Sequence, residues 1–556
     1  MGFQEVYLRL CRKIKIKAKA SEELSYYVDV LEWDIEPESI AGFARLTFFL
    51  SFLLFSPLLI YPSLTSLLLW VLSPFALAQL VGDYPKILGR RKLMRAMDAA
   101  PFNLALLCSS LKENPNLERA VEFVSEFGEG EIAEDMKRLL VKVLSGKEVD
   151  ARRGLEELGK KWGRYFPWFR EAIRDILMSL DEKDKERKRM LDNALSRLQR
   201  GIRISYQEFI QEMRIPTMLI FSVGAVLPLI IISMLPIISI FSQVSPFLLI
   251  FLSLATSLGM VLYSNYVSLK RPPLMFSEPE FGEERPFLLC LSISLFFLTP
   301  FLLYSLRLFG IYISISEKLV PISLVLGTGS FPVSYFFFSY ANFRRRRRKV
   351  RELEEGAISF MEKLVVRLRE GRSQEEVISE ARGKGEFGKL LRELKGRMKV
   401  FGLKEALDVD VDSKLVKVLF HALKRSQEQS IKLASESVGF LLEQLRDLRL
   451  MRRQMEVELK KYVDMLLYTS MFILPVIAGV GVRTQGAIME RIRDIPLFQV
   501  TPLDMLTLKC IVGLYVVTSS LAMLYHAKTI SGRKEIWANS HRYILPPLVI
   551  CSLSFL

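Results

Sequence analysis

Runs of roughly 20 residues with almost no charge constrain this chain more than any other feature. About 30 Å of hydrocarbon needs that many residues in a helix, and a lipid-exposed backbone must satisfy its own hydrogen bonds. About nine such runs are present: 42–60, 63–82, 215–236, 245–266, 286–306, 319–342, 463–482, 507–526 and 542–556. The first two are separated only by Tyr61-Pro62 or so, which predicts a tight hairpin. Gly327, Gly329 and Pro332 predict a kink in the sixth. The ninth is short for a span. No signal peptide is expected ahead of them: residues 1–20 are basic, and Ser21 to Glu38 is acidic and amphipathic without an apolar core.

Composition then has to be divided rather than averaged. Half of the 556 residues are hydrophobic and 25% are charged, which excludes a disordered or collagen-like chain. Lys and Arg number 77 against 61 Asp and Glu, a net charge of +16. Such a surplus suits nucleic acid, an anionic membrane surface or an acidic partner. Its placement decides. Arg90, Arg91, Lys92 and Arg95 follow the second run, Lys270, Arg271 and Arg285 separate the fourth and fifth, Arg344 to Arg348 and Lys349 follow the sixth, and Lys528, Arg533 and Lys534 follow the eighth. All lie on one side if the N-terminus is cytoplasmic, and Ile237–Val244 on the other side carries no charge. The C-terminus is then outside. Because the basic residues lie at the membrane or alternate with acids along helices, nucleic acid is not an expected partner.

Two polar blocks remain, roughly 83–214 and 343–462. Apolar residues recur in both at three- and four-residue spacing, the mark of amphipathic helices. The first block predicts helices near 102–112, 115–127, 131–145, 150–163, 167–181 and 184–213, with Pro115 in a first turn and Gly128 and Gly146 at helix ends. The second predicts 350–370, 373–382, 385–400, 402–408, 412–426 and 428–461, with a capping box of Ser373 and Glu376. Each block runs by a long charged helix into a span. There Met218-Leu219 precedes Leu227-Pro228, and Met465-Leu466 precedes Leu474-Pro475 at the same interval. This pattern points to an internal duplication in one orientation. The expected architecture is an all-α polytopic membrane protein with two cytoplasmic helical bundles. Its parts are a cytoplasmic segment (1–40), a transmembrane hairpin (41–82), a bundle (83–214), four spans (215–342), a second bundle (343–462) and three spans (463–556).

Little in the sequence carries chemistry. The five cysteines, Cys11, Cys108, Cys290, Cys510 and Cys551, form no C-x-x-C pair and read as small buried hydrophobes. His421, His526 and His541 are scattered and read as surface or membrane-interface residues. Gly383 to Leu390 nearly matches a phosphate loop, but Leu390 replaces the hydroxyl and no strand precedes it. Asp408, Asp410 and Asp412 faintly resemble a Ca²⁺ loop, but Ser413 and Leu419 stand where Gly and Glu are needed, so a helix-capping turn is the better reading. Neither catalytic residues nor a metal or cofactor set is expected. A transporter or channel with regulatory bundles is the alternative. Its spans would be expected to hold ionisable residues, and Arg45, Asp464, Lys509, His526 and Arg542 all lie near span ends.

Several segments resemble the type II secretion F-domain family, the inner-membrane platforms of type IV pilus-like machines. Asn116 to Val121 and Arg372 to Val377 carry the resemblance in the two blocks, Gly402 to Leu407 follows the family's Gly-x-x-x-Ala-Leu turn, and Ile215 to Pro236 matches its membrane entry. Glu113-Asn114 departs from the family, which commonly has a glycine-containing turn there. Two F-like units with extra spans look most like the archaeal, archaellum-type branch. The resemblance implies a platform in the cell membrane without chemistry of its own, and not an enzyme. It implies a hexameric secretion-type ATPase and pilin-like filament subunits as partners, and a dimer or trimer of the chain beside the hexamer. Arg90, Arg91, Lys92 and Arg344, Arg345, Arg346, Arg347 and Arg348 are the candidate residues facing that partner or anionic lipid.

Overall fold

The computed structural model describes residues 3–13, 16, 18–56, 64–128, 130–146, 150–164, 166–228, 230–231, 234, 245–270, 286–309, 314–427, 431–493, 504–532 and 535–556. Among the described residues all regular structure is helical. Seven helical stretches are long and apolar enough to cross a membrane: Pro37–Leu54, Asp184–Val226, Pro246–Ser268, Phe287–Ser305, Leu319–Ser339, Val438–Ile488 and Met505–Ser531. These are the spans of a multi-pass membrane protein. Of the other two apolar runs, 63–82 falls largely within a longer helix, and 542–556 lies in a helix of 16 residues, Ser540–Phe555. The expected turn at Tyr61-Pro62 and the loop at Ile237–Val244 lie outside the described residues.

The chain divides into two units, residues 1–97 and 98–556. The first holds α1 (Phe3–Lys13), α2 (Glu22–Leu31), α3 (Pro37–Leu54) and the beginning of α4 (Leu64–Glu113). Tyr7, Cys11, Leu24, Val28 and Ile40 form its core. The Tyr7 hydroxyl donates to the Val81 carbonyl at 2.9 Å, and its ring lies 4.7 Å from that of Tyr84. The acidic stretch after residue 20 is thus half buried rather than a free tail, because two tyrosines, Tyr26 and Tyr27, give α2 an apolar face.

One helix differs from expectation. A span over 63–82 and a separate helix near 102–112 are parts of a single 50-residue helix, α4. Pro115 also stands ahead of the next helix, not in its first turn. The Asn116 side chain accepts from the Arg119 N–H at 3.0 Å, so the cap is Asn116 and the helix begins at Leu117.

The second unit contains both bundles. The first is α5 (Leu117–Phe127), α6 (Gly130–Leu144), α7 (Ala151–Gly163), α8 (Pro167–Ser179) and α9 (Asp184–Glu212). Val121, Met136, Leu155, Trp162, Phe169, Ile176 and Leu195 are buried. Each such large apolar side chain contributes about 1.5–3 kcal/mol. Asp135 accepts from the Trp162 indole at 3.0 Å and from Lys161 at 2.9 Å, so the buried polar end of Trp162 is satisfied.

The second bundle is α14 (Ala341–Arg369), α15 (Gln374–Glu380), α16 (Gly385–Phe401), α17 (Leu403–Ala406), α18 (Lys414–Ser426) and α19 (Ile431–Tyr468). The Ser373 hydroxyl accepts from the Glu376 N–H at 3.2 Å, and Gly371 takes φ +88°, which ends α14. Gly356 lets Phe387 close on α14, since a Cβ there would stand 2.4 Å from the Phe387 Cβ. Glu354 accepts from Ser413 at 2.8 Å and from Arg449 at 2.7 Å, tying three helices together.

The bundles touch each other. Gln199 donates to Gln444 at 3.0 Å between α9 and α19. Lys112 sits 3.5 Å over the Phe440 ring, and His421 lies 4.6 Å from the Phe127 ring.

The apolar helices of this unit are α10 (Arg214–Phe221), α11 (Pro246–Lys270), α12 (Phe287–Ser305), α13 (Leu319–Ser339), α20 (Leu474–Arg493), α21 (Met505–Ser531) and α23 (Ser540–Phe555), with the short α22 (Glu535–Ala538) before the last. α21 is central: Leu508, Val512, Val516, Met523, Leu524 and Ala527 are buried in the shared core. Close approach relies on small residues. A Cβ on Gly513 would stand 2.4 Å from Val325, and one on Gly479 2.5 Å from Ser554.

Candidate functional site

The two places where a bundle helix enters the apolar core share a local defect. α9 passes through Met213 into α10, which ends in a wide, π-type turn at Ser222–Val226, immediately before Leu227-Pro228. α19 ends in the same kind of turn at Thr469–Ile473, immediately before Leu474-Pro475. Proline explains both. It lacks an N–H, and its ring collides with the carbonyl four residues back. One extra residue in the turn moves that carbonyl aside, at the cost of leaving a carbonyl without its donor.

The first defect is compensated from outside. Tyr515 on α21 donates its hydroxyl to the Gly224 carbonyl at 3.0 Å and lies 3.3 Å from that of Val223. These are the carbonyls four and five residues before Pro228. Gly224 has no room to spare: a Cβ would stand 2.5 Å from Met523 Cε and 2.9 Å from Met260 Cε. At the second defect, Thr469 bonds its own helix, donating to the Met465 carbonyl at 2.7 Å. Among the described residues no side chain donates to the Ser470 or Met471 carbonyl.

The basic candidates separate into different roles. Arg344 donates to the carbonyls of Ala538 at 2.6 Å and Phe337 at 2.8 Å, and stacks on the Phe337 ring. Arg347 pairs with Glu535 at 2.8 Å. These two, one turn apart, fasten α14 to the α22–α23 corner. Arg345, Arg346 and Arg348 are exposed, and Arg348 pairs with Glu352 at 3.2 Å along its own helix. In the other unit Arg90 is half buried and Lys92 lies 3.9 Å from Glu32, and the Arg91 side chain lies outside the described residues.

His526 departs from the interface reading. It is fully buried between α21 and α11, with Nδ1 2.9 Å from the Ser264 hydroxyl. Neighbouring contacts continue this polar seam: Tyr525 donates to Asn265 at 2.5 Å, and Ser257 donates to Thr518 at 3.0 Å. Serines and threonines scattered through an apolar run hid it from the sequence, because such residues also bond their own helix. Four of the five cysteines are buried, and Cys510 is half buried. Gly385 opens α16 at φ +60° with Gly388 against the Gly383 backbone. Asp410 pairs with Lys417 at 2.6 Å and Asp408 with Lys424 at 3.5 Å.

Compared with family models, curated proteins and solved structures, the chain finds no match.

Proposed function

We propose that this chain is a non-enzymatic integral platform of an archaeal type IV pilus-like or archaellum machine in the cell membrane, with its N-terminus cytoplasmic. It has nine spans and two F-like units that arose by duplication. A cytoplasmic hexameric secretion-type ATPase acts on the bundles, and the membrane part passes that motion to pilin-like filament subunits. The chain works as a dimer or trimer.

One observation carries this reading. Both bundles run into the apolar core through a long helix that carries the same π-type turn before Leu-Pro. A long helix transmits force along its axis, and a defect at its entry lets it bend at one defined point. Arg345, Arg346 and Arg348 are the exposed arginines of this run that would face an acidic ATPase surface or anionic lipid, because Arg344 and Arg347 are engaged internally.

The test is co-elution of detergent-purified chain with a secretion ATPase encoded beside it. A stable complex that Arg345→Glu with Arg348→Glu disrupts supports the reading, and unchanged binding of the double variant removes the electrostatic docking from it. A transporter or channel is the second reading, favoured by the buried polar seam at Ser264 and His526. Substrate-dependent flux in liposomes, without ATPase binding, would favour it.

A further inference from the structure

At the end of the apolar helices next to the bundles lies a cavity of about 160 Å³. Its walls come from α9, α19, α21, α22 and α23. α19 supplies two parallel rows to it. Met455, Leu459, Val463 and Leu467 form an apolar row, each one turn from the next. Beside it Glu456, Lys460 and Asp464 form a row with charges negative, positive, negative. Tyr543 and Asn539 complete the polar wall, with Glu535 held by Arg347 at 2.8 Å.

Asp464 is the unusual member. It is half buried, it stands where α19 turns apolar, and among the described residues it has no hydrogen bond or ion pair. A carboxylate in such a position is costly unless a cation reaches it. Lys460, one turn back, is exposed. The cavity thus presents an acceptor of a cation and a donor to an anion about one turn apart, beside an apolar row on the same helix.

We propose that this cavity binds the headgroup of a zwitterionic aminophospholipid. Its ammonium lies against Asp464, and its phosphate lies against Lys460 and the Asn539 and Tyr543 polar groups. Both charges of the headgroup find an opposite partner, which an anionic headgroup without an amine would lack. At about 160 Å³ the site is too small for a helix. The proposal is independent of the platform reading, since it requires only that these helices cross a membrane.

The test is native mass spectrometry of the full chain released from mild detergent, after incubation with phosphatidylethanolamine, phosphatidylcholine or phosphatidylglycerol. Phosphatidylethanolamine should be retained about tenfold better than phosphatidylglycerol. Phosphatidylcholine should fall between them, because its quaternary ammonium has no N–H to donate. Asp464→Asn should lower phosphatidylethanolamine retention about tenfold, Asp464→Glu should restore it, and Asp504→Asn, at the opposite end of α21, should leave it unchanged. Equal retention of the three lipids by the wild-type chain overturns the proposal, and this arm stands even where a variant fails to fold. Unchanged retention by a folded Asp464→Asn variant overturns it as well.

Discussion

The two membrane entries carry the same Leu-Pro step and the same π-type turn, yet they solve the resulting problem differently. At Ser222–Val226 a tyrosine from another helix bonds the freed carbonyls. At Thr469–Ile473 no side chain among the described residues does so. The difference teaches that a proline defect sets where a helix bends, and its neighbours set how firmly it is held. The first entry is a braced joint and the second an open one.

Removing the brace should have the largest effect. Tyr515→Phe keeps the ring and loses the donor, leaving a buried carbonyl unpaired, so it should cost about 1–3 kcal/mol in unfolding experiments. Pro228→Ala then sharpens the comparison. An alanine N–H can bond the carbonyl itself, so Tyr515→Phe in that background should cost at least about 1 kcal/mol less, a coupling a double-mutant cycle reads directly. Caps provide a control within each bundle. Asn116→Ala and Ser373→Ala should each cost about 1 kcal/mol, and each should speed amide exchange only in its own bundle.

The smallest effect concerns pH. Burial holds His421 below the ordinary imidazole value of 6.5, with Lys424 and Lys417 acting in the same sense and Asp408 and Glu126 opposing. Its folded value is depressed, so its contribution is complete above pH 6.5 and is lost as pH falls through the folded value. Thermal melting of the wild type should therefore shift down slightly on acidification below that pH, and His421→Gln should flatten that part of the profile.

Much of the helix pattern was legible in the sequence because apolar spacing and polar caps act locally. Ser373 caps the helix it was expected to cap, and α7, α8 and α18 begin within two residues of where the spacing places them. What stayed hidden depends on partners distant in the chain. Nothing near Gly224 announces Tyr515, some 290 residues away, although the repeated Leu-Pro interval marked both places where such help is needed. Five consecutive arginines read as one basic patch, but helical geometry turns Arg344 and Arg347 inward and leaves Arg345 and Arg348 outside. The length of α4 was also hidden, because one helix continues from the apolar run into the polar block and accommodates Pro74, Pro85 and Pro101 on the way.

The central claim is that motion of the bundles reaches the membrane through these joints. Spin labels spanning each joint, at Glu208→Cys with Leu227→Cys and at Glu458→Cys with Val480→Cys, measure it in nanodiscs with the ATPase bound. The account predicts that the distance across the second joint changes during ATP hydrolysis, that the first changes less, and that Tyr515→Phe brings the first up to the second. Fixed distances across both joints while the bound ATPase turns over would contradict it.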